Sequence, residues 1–313
     1  MLTFILRRLL TTVPVVAFVA FVVFSILHLA PGDPAAIIAG DQATPEQIAA
    51  VHKALGLDRP FFLRFASWLW QVMNGDLGHS IFSQLPVTTL IAQRLEPTLA
   101  LMTLTLILSI LVAIPAGVAA AAFQGSWLDR AIMALAVAGF SVPVFVIGYL
   151  LAWIFSLKLN WLPVQGYTPL SAGFLPFLAN LILPACALSG VYTALLARMT
   201  RTALIETLSQ DYIRTARAKG LSEIPVLFRH ALKNAAIPIV TVIGIGIALL
   251  LGGAVITETV FAIPGIGRLV VDAILRRDYP VIQGVILLIS FSYVLINLSI
   301  DLVYTVIDPR VRY

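Results

Sequence analysis

Six stretches of the chain carry no Asp, Glu, Lys or Arg: residues 9–32, 97–128, 131–157, 159–197, 234–257 and 279–300. Each is long enough for a helix of about 20 residues, the length that crosses a hydrocarbon core of about 30 Å. Backbone polar groups cannot stay unpaired in lipid, so these runs are expected to be transmembrane helices. The fourth run is too long for one span. Its opening, NWLPVQGYTPLSAG, is rich in Pro and Gly and reads as a loop, which places the span at 174–197.

Between the runs the pattern is polar and uneven. The first connection, residues 31–96, opens with the turn signal PGDP. ATPEQIAAVHKALGLD then predicts a helix with Thr44 as N-cap, Pro45 in its first turn, Gln47 at the capping-box position and Gly56 at its end. PFFLRFASWLWQVMNG follows as an aromatic amphipathic segment. It would either lie flat in the membrane interface, with Trp68 and Trp70 at headgroup depth, or pack on the protein's own helices. GDLGHSIFSQLPV completes this connection. Two further connections, about 158–173 and 258–280, carry LPVQGY and ETVFAIPGIGRLVVDAILRRDYP; Pro264, Gly265 and Gly267 interrupt the latter before a short helix ending at Arg276 and Arg277.

Composition agrees with a membrane protein: 60% of the 313 residues are hydrophobic, 11% are charged and the mean hydropathy is +1.00. Arg7 and Arg8 precede an apolar run too long for a cleaved signal, so a retained signal-anchor is expected. Segments 1–8, 123–130, 198–235 and 308–313 hold 12 of the 20 basic residues. The positive-inside rule then puts these segments and both termini in the cytoplasm. The net charge of +5 reflects that bias and does not call for nucleic acid. The lone Cys186 excludes an intrachain disulfide and a thiolate metal cage, and reads as a small core residue.

One inner connection stands out. DYIRTARAKGLSEIPVLFRHALKNA, residues 211–235, gathers Asp211, Arg214, Arg217, Lys219, Glu223, Arg229 and Lys233 between two apolar runs. It reads as two helices, the first from about Glu206 to Lys219 and closed by Gly220, which suits a left-handed C-cap. Ser222 can cap the second helix, and Pro225 is tolerated in its first turn. That helix carries Ile224, Val226, Leu227 and Phe228 beside Arg229, His230 and Lys233. An apolar ridge with a basic edge suits docking in a partner's groove. A solvated basic loop, or one lying on anionic lipid, remains the alternative on these grounds.

These residues carry a resemblance. DYIRTARAKGL followed by RHALKNA resembles the cytoplasmic coupling motif of permease subunits in bacterial binding-protein-dependent ABC importers, and more narrowly the B-type permease of the dipeptide, oligopeptide and nickel group. RRLL, HLAPGDPA, GLDRPFFLRFASWL, GDLGHS, LPACAL, ETVFAIPGIGRLVVDAILRRDYPVIQG and DPRVRY extend the similarity over nearly the whole chain. The general importer motif is Glu-Ala-Ala, three residues, Gly, nine residues, then Ile-x-Leu-Pro. Gly220 matches its Gly. Arg214, Thr215 and Ala216 take the first three places, while His230, Leu232 and Lys233 fall at Ile, Leu and Pro. The motif's Glu and Pro are therefore missing, while the two-helix geometry set by Gly220 is retained.

The resemblance implies an all-α integral membrane protein with the type I ABC importer permease fold: an N-terminal helix (1–30), an outer, periplasmic loop with short helices (31–96), and a five-helix core (97–313) carrying the coupling segment at 200–235. It implies a bacterial inner-membrane location, a second homologous permease completing a heterodimer, two ATP-binding-cassette ATPases, and a periplasmic or extracellular solute-binding protein. Asp211, Tyr212, Arg214, Thr215, Ala216, Arg217, Ala218, Lys219, Gly220, Leu221, Ile224 and Phe228 would meet the ATPase. The motor must be separate, because the chain lacks the Gly-x-x-x-x-Gly-Lys-Ser/Thr phosphate loop; ATP and magnesium would be bound by the partner subunits, and no cofactor by this chain. Di- or oligopeptides are the expected cargo, with nickel chelates, glutathione, opines and oligosaccharides as the family's other substrates.

Other candidates are sparser. Glu258, an acid at a span end, could meet a peptide's amino group at the outer mouth or pair with Arg268 or the sister subunit. Asp301 is expected near the inner end of the last span, paired with a basic residue, and His28 at the outer interface. Pro143, with Ser141 and Phe145 beside it, permits a kink in the third span that would line the pathway, or packs as an ordinary proline kink. No Ser-His-Asp, paired-carboxylate or His-Glu-x-x-His arrangement offers catalytic chemistry. The spans lack mid-membrane acids and bases and the two halves do not mirror each other, which disfavours an ion-coupled secondary transporter.

Overall fold

In a computed structural model of the protein, the described residues are 2–29, 35–36, 43–54 and 58–307. They are mostly helical, and among them no strand forms beyond an isolated bridge between His79 and Pro86. The helices are α1 (Leu2–Leu29), α2 (Pro45–Ala54), α3 (Phe61–Met73), α4 (Val87–Ala122), α5 (Trp127–Ser141), α6 (Val144–Lys158), α7 (Phe174–Leu208), α8 (Asp211–Ala218), α9 (Glu223–Val260), α10 (Ile266–Arg276) and α11 (Tyr279–Ile307). The last turns of α6, Ala152–Lys158, and the stretch Val226–Ala231 of α9 are π-helical.

Helices α4, α7, α9 and α11 are long and apolar enough to cross a membrane. Helices α5 and α6 pass that test only as a pair, and the bend between them is 100°. The sequence permits a kink at Pro143; the structure has a near-perpendicular break there, with Val142 extended and Pro143 capping α6. Two long helices overrun the uncharged stretches. Helix α4 begins at Val87, inside the segment read as outer loop, and carries Arg94 and Glu96. Helix α7 starts at Phe174 as the loop reading requires, but continues through Arg198 and Arg201 to Leu208. The expected signals PGDP, Gly56 and DPRVRY, and the side chains of Arg7, Arg8 and His28, lie outside the described residues.

By internal packing the chain divides into two units, residues 1–94 with 269–294 and residues 95–268 with 295–313. In the first, α3 stacks on α1: the Phe24 ring lies 5.4 Å from Phe61, 5.4 Å from Phe65 and 5.3 Å from Trp68. The aromatic segment thus packs on the protein's own helix, while Trp70 stays exposed. The capping box forms as the sequence predicts, with the Thr44 N–H donating to Gln47 Oε1 at 2.9 Å and the Gln47 N–H to Thr44 Oγ1 at 3.3 Å. Asp278 ties the region after α3 to the start of α11 by accepting from Ser80 Oγ (2.5 Å) and the Ile81 N–H (3.1 Å).

The second unit has two apolar cores. One gathers Leu101, Leu181, Leu188, Leu250 and Ile263 from α4, α7, α9 and the turn after α9. Gly148 of α6 lets the Phe261 ring approach; an added Cβ would stand 3.1 Å from it. The other core gathers Ala113, Val118, Leu196, Leu204, Ile213, Ala216, Val226, Ala231 and Ile239. It joins α4, α7 and α9 to the charged segment. Cys186, expected in the core, instead lies exposed on α7.

Candidate functional site

The charged segment is a folded corner. Helix α7 ends at Leu208, so Glu206 belongs to it and the first helix of the segment is α8, from Asp211. Helix α8 closes in a Schellman turn: the Gly220 N–H donates to Arg217 O (2.9 Å), and the Leu221 N–H to Ala216 O (3.4 Å). Gly220 takes φ +82°, and open space surrounds the position of a Cβ. Ser222 occupies the N-cap position of α9 with extended backbone, but its side chain makes no capping bond. Pro225 sits in the first turn, where its missing N–H costs nothing.

Burial divides the segment into two faces. Ile213, Ala216, Val226 and Ala231 enter the core with α4 and α7. Ile224 is 72% and Phe228 55% exposed, whereas Val226 is completely buried. The expected ridge of Ile224, Val226, Leu227 and Phe228 is therefore split. The outward apolar surface is Ile224 and Phe228, one turn apart, with Leu221 and Tyr212 also exposed. Around it lie Asp211, Arg214, Thr215, Arg217, Ala218 and Lys219, all exposed. Arg214 contacts Asp211 at 3.4 Å, Thr215 Oγ1 donates to Asp211 O at 3.0 Å, and Asn234 Nδ2 donates to the Tyr212 hydroxyl at 3.0 Å. Arg217 spans the corner to Glu223, and the hydrogen bonds between them raise the Arg217 pKa and lower that of Glu223, so both stay charged. The result is a rim of charges around a small apolar patch, backed by a rigid core.

A second cluster behind this corner is not evident from sequence. Asp129, in the first turn of α5, is almost fully buried. Its Oδ1 accepts from Arg201 Nε (2.5 Å), and its Oδ2 from Arg201 Nη2 (2.7 Å) and the Gly125 N–H (2.9 Å). Ser126 caps α5 by accepting from the Asp129 N–H at 3.3 Å. The only local signal is the pattern Ser126-x-x-Asp129 at the end of an uncharged run; the 72 residues to Arg201 hide the pairing.

The candidates for the pathway separate. Ser141, Pro143 and Phe145 are exposed at the α5–α6 break, with Ser141 Oγ donating to Val137 O at 2.8 Å. Glu258 is not at an open mouth. It is completely buried, accepting from Thr98 Oγ1 at 2.6 Å and from the backbone N–H of Arg268 at 3.0 Å. Thr98 in turn accepts from the Ile266 N–H at 2.8 Å, and Gly265 and Gly267 leave no room for a Cβ beside the carboxylate. Glu258 thus latches the turn between α9 and α10. A second acid, Glu96, holds the 159–173 connection by accepting from Tyr167 Oη (2.9 Å) and the Leu170 N–H (3.2 Å). Burial, and then that hydrogen bond, push the Tyr167 pKa up, so the phenol stays protonated and donating. Asp301 lies in the last third of α11.

Comparison with known proteins places this architecture. The family described as "Binding-protein-dependent transport system inner membrane component" matches residues 113–313, and its companion, "Binding-prot-dependent transport system membrane comp, N-term", matches residues 1–103. The chain is 54% identical over 310 residues to a probable peptide ABC transporter permease protein of Sinorhizobium fredii, covering 99% of each. It is 44% identical over 313 residues to a glutathione transport system permease protein of Salmonella choleraesuis, covering 100% of each. Among solved structures, an inward-facing MetNI methionine ABC transporter shares the fold with a TM-score of 0.60 at 18% identity, over 71% of this chain and 97% of that one. The chain belongs to the inner-membrane components of binding-protein-dependent transport systems, the permease subunits of ABC importers.

Proposed function

We propose that this chain forms half of the translocation pathway of a di- or oligopeptide importer in the bacterial inner membrane. Six spans are counted by taking α1 as the first and the broken pair α5–α6 as one. The basic residues, concentrated at the α7–α9 corner and the termini, support cytoplasmic placement of all three. A second homologous permease would complete the pathway, a solute-binding protein would deliver cargo from outside, and two ATPases would bind ATP and magnesium and drive the cycle.

The observation that carries the reading is the split burial of the corner. Ile224 and Phe228 face outward, while Ile213 and Val226, in the same corner, are buried with α4 and α7. A solvated loop has no need of that anchor. A docking element does, because a push on the exposed face must move the spans rather than bend the loop. The peptide assignment is supported by the named peptide permeases among the relatives, and the glutathione permease among them supports a peptide-like thiol as the second reading.

The test is uptake into proteoliposomes holding the complete assembly, with labelled dipeptide, labelled glutathione and a nickel chelate offered separately. ATP-dependent dipeptide uptake is expected. Uptake of glutathione or the chelate alone would replace the cargo, and uptake driven by an ion gradient without ATP would overturn the reading.

A further inference from the structure

We propose that the Asp129–Arg201 pair is a positioning element that transmits movement of the α8–α9 corner into the broken span α5–α6. The proposal rests on the coupling role given above to that corner. Arg201 lies on α7, ten residues before α8 begins and one turn before Leu204, which shares a core with Ile213, Ala216 and Val226 of the corner. On the other side, Asp129 belongs to the first turn of α5. Helix α5 contributes no residue to that core; it packs along α7, where Gly139 lies against the Gly190 backbone, and the bidentate bond to Arg201 fixes its first turn on α7.

The geometry is that of a joint. Two parallel N–H···O bonds fix the guanidinium plane against the carboxylate, which a single charge contact would not do. The Gly125 N–H and the N-terminus of α5 supply further positive potential to the same carboxylate. Just before Arg201 on α7, the Thr200 side chain and the Ala197 carbonyl crowd Gly117 of α4, where an added Cβ would stand 2.6 Å from Thr200 Cβ. Helix α4 is thus pressed onto α7 at the level where α7 grips α5. Arg201 keeps a quarter of its side chain exposed, so loss of its partner leaves it access to water. Asn at position 129 keeps the size of the side chain and an oxygen for Gly125, while removing the charge that orients the guanidinium.

The experiment measures ATP hydrolysis and substrate uptake separately in proteoliposomes holding the complete transporter, together with membrane level and ATPase copurification. For Asp129→Asn, normal copurification and continued hydrolysis are expected, with uptake per ATP reduced by about tenfold, within the range over which residues in coupling networks act. Arg201→Lys, which keeps the charge but loses the fork, is expected to give an intermediate ratio. An unchanged uptake-to-hydrolysis ratio in Asp129→Asn, even with lower membrane levels, would reduce the pair to a structural contact and overturn the proposal. Loss of ATPase copurification in Asp129→Asn would assign the pair to docking and overturn it equally. Failure of the underlying coupling reading is seen elsewhere: the surface changes Ile224→Ser and Phe228→Ser would then leave copurification and uptake at wild-type values.

Discussion

Arg217 reaches over the Gly220 corner and holds both carboxylate oxygens of Glu223, Nε to Oε1 at 2.9 Å and Nη2 to Oε2 at 3.0 Å. Both side chains are exposed, so water and salt screen the pair and it adds little to stability. The corner is fixed instead by the Schellman turn and by burial of Ile213 and Val226. Glu223→Gln is therefore expected to leave membrane level and uptake unchanged, which immunoblotting and proteoliposome transport would check.

Gly220 is the covalent requirement of the corner. Its φ of +82° costs an L-residue with a branched Cβ about 1–2 kcal/mol. Space is not the obstacle, since a Cβ there meets nothing within 4 Å. Gly220→Val should therefore weaken ATPase copurification or uncouple uptake from hydrolysis, while Gly220→Asn, which tolerates this conformation, should stay near wild type. Equal loss in both would mean that size, not backbone conformation, matters.

Val226 reports on the inner face of the same helix. Its side chain is fully buried in the core shared with α4 and α7. Truncation to Ala removes two methyl groups and leaves a cavity, a loss of about 2 kcal/mol. A lower midpoint of thermal unfolding in detergent is expected, with reduced membrane levels. A wild-type midpoint would show that the corner is not packed as described.

The Glu258 latch makes a different prediction. Thr98→Val would remove two buried hydrogen bonds, one to Glu258 and one from the Ile266 N–H, at about 1–3 kcal/mol for each. The transporter should accumulate poorly. What survives should keep the wild-type ratio of uptake for cationic and neutral peptides, because Glu258 is bonded to the turn. A changed ratio in Glu258→Gln would return this acid to the pathway.

Orientation is checked by single cysteines in a Cys186→Ser background, needed because Cys186 is itself exposed. An impermeant thiol reagent added to intact cells should label cysteines replacing Lys53 and Arg276 and leave one replacing Lys219 unlabelled until permeabilisation. Labelling at position 219 from outside would reverse the topology.

Local chemistry was readable in the chain, and distant pairing was not. The Thr44–Gln47 capping box and the left-handed Gly220 depend on a few neighbouring residues, and both form as their spacing predicts. The start of α7 at Phe174 follows from the Pro- and Gly-rich stretch before it. Helix ends were harder, because Arg94 and Glu96 in α4, or Arg198 and Arg201 in α7, mark the end of an uncharged run but not of a helix. Pro143 signals a weak point, yet a 100° bend depends on what the two halves pack against. Whether Ile224 or Val226 faces inward depends on the core that α4 and α7 supply and on the π-helical winding of 226–231, neither of which the segment's own pattern contains. The Asp129–Arg201 and Thr98–Glu258 bonds join positions 72 and 160 residues apart, so periodicity carries no trace of them.

The central claim is that the corner of α8 and α9 is where a separate ATPase grips the permease, and its outward patch tests this most directly. Ile224 and Phe228 lie on the surface, so replacing both with Ser should not disturb the core beneath. ATPase copurification from detergent-solubilised membranes, normalised to the amount of this subunit, is the measurement. A normal membrane level with copurification largely abolished is the predicted result. Wild-type copurification by the double variant, with uptake intact, would contradict the account and leave the charged segment as a solvated connection.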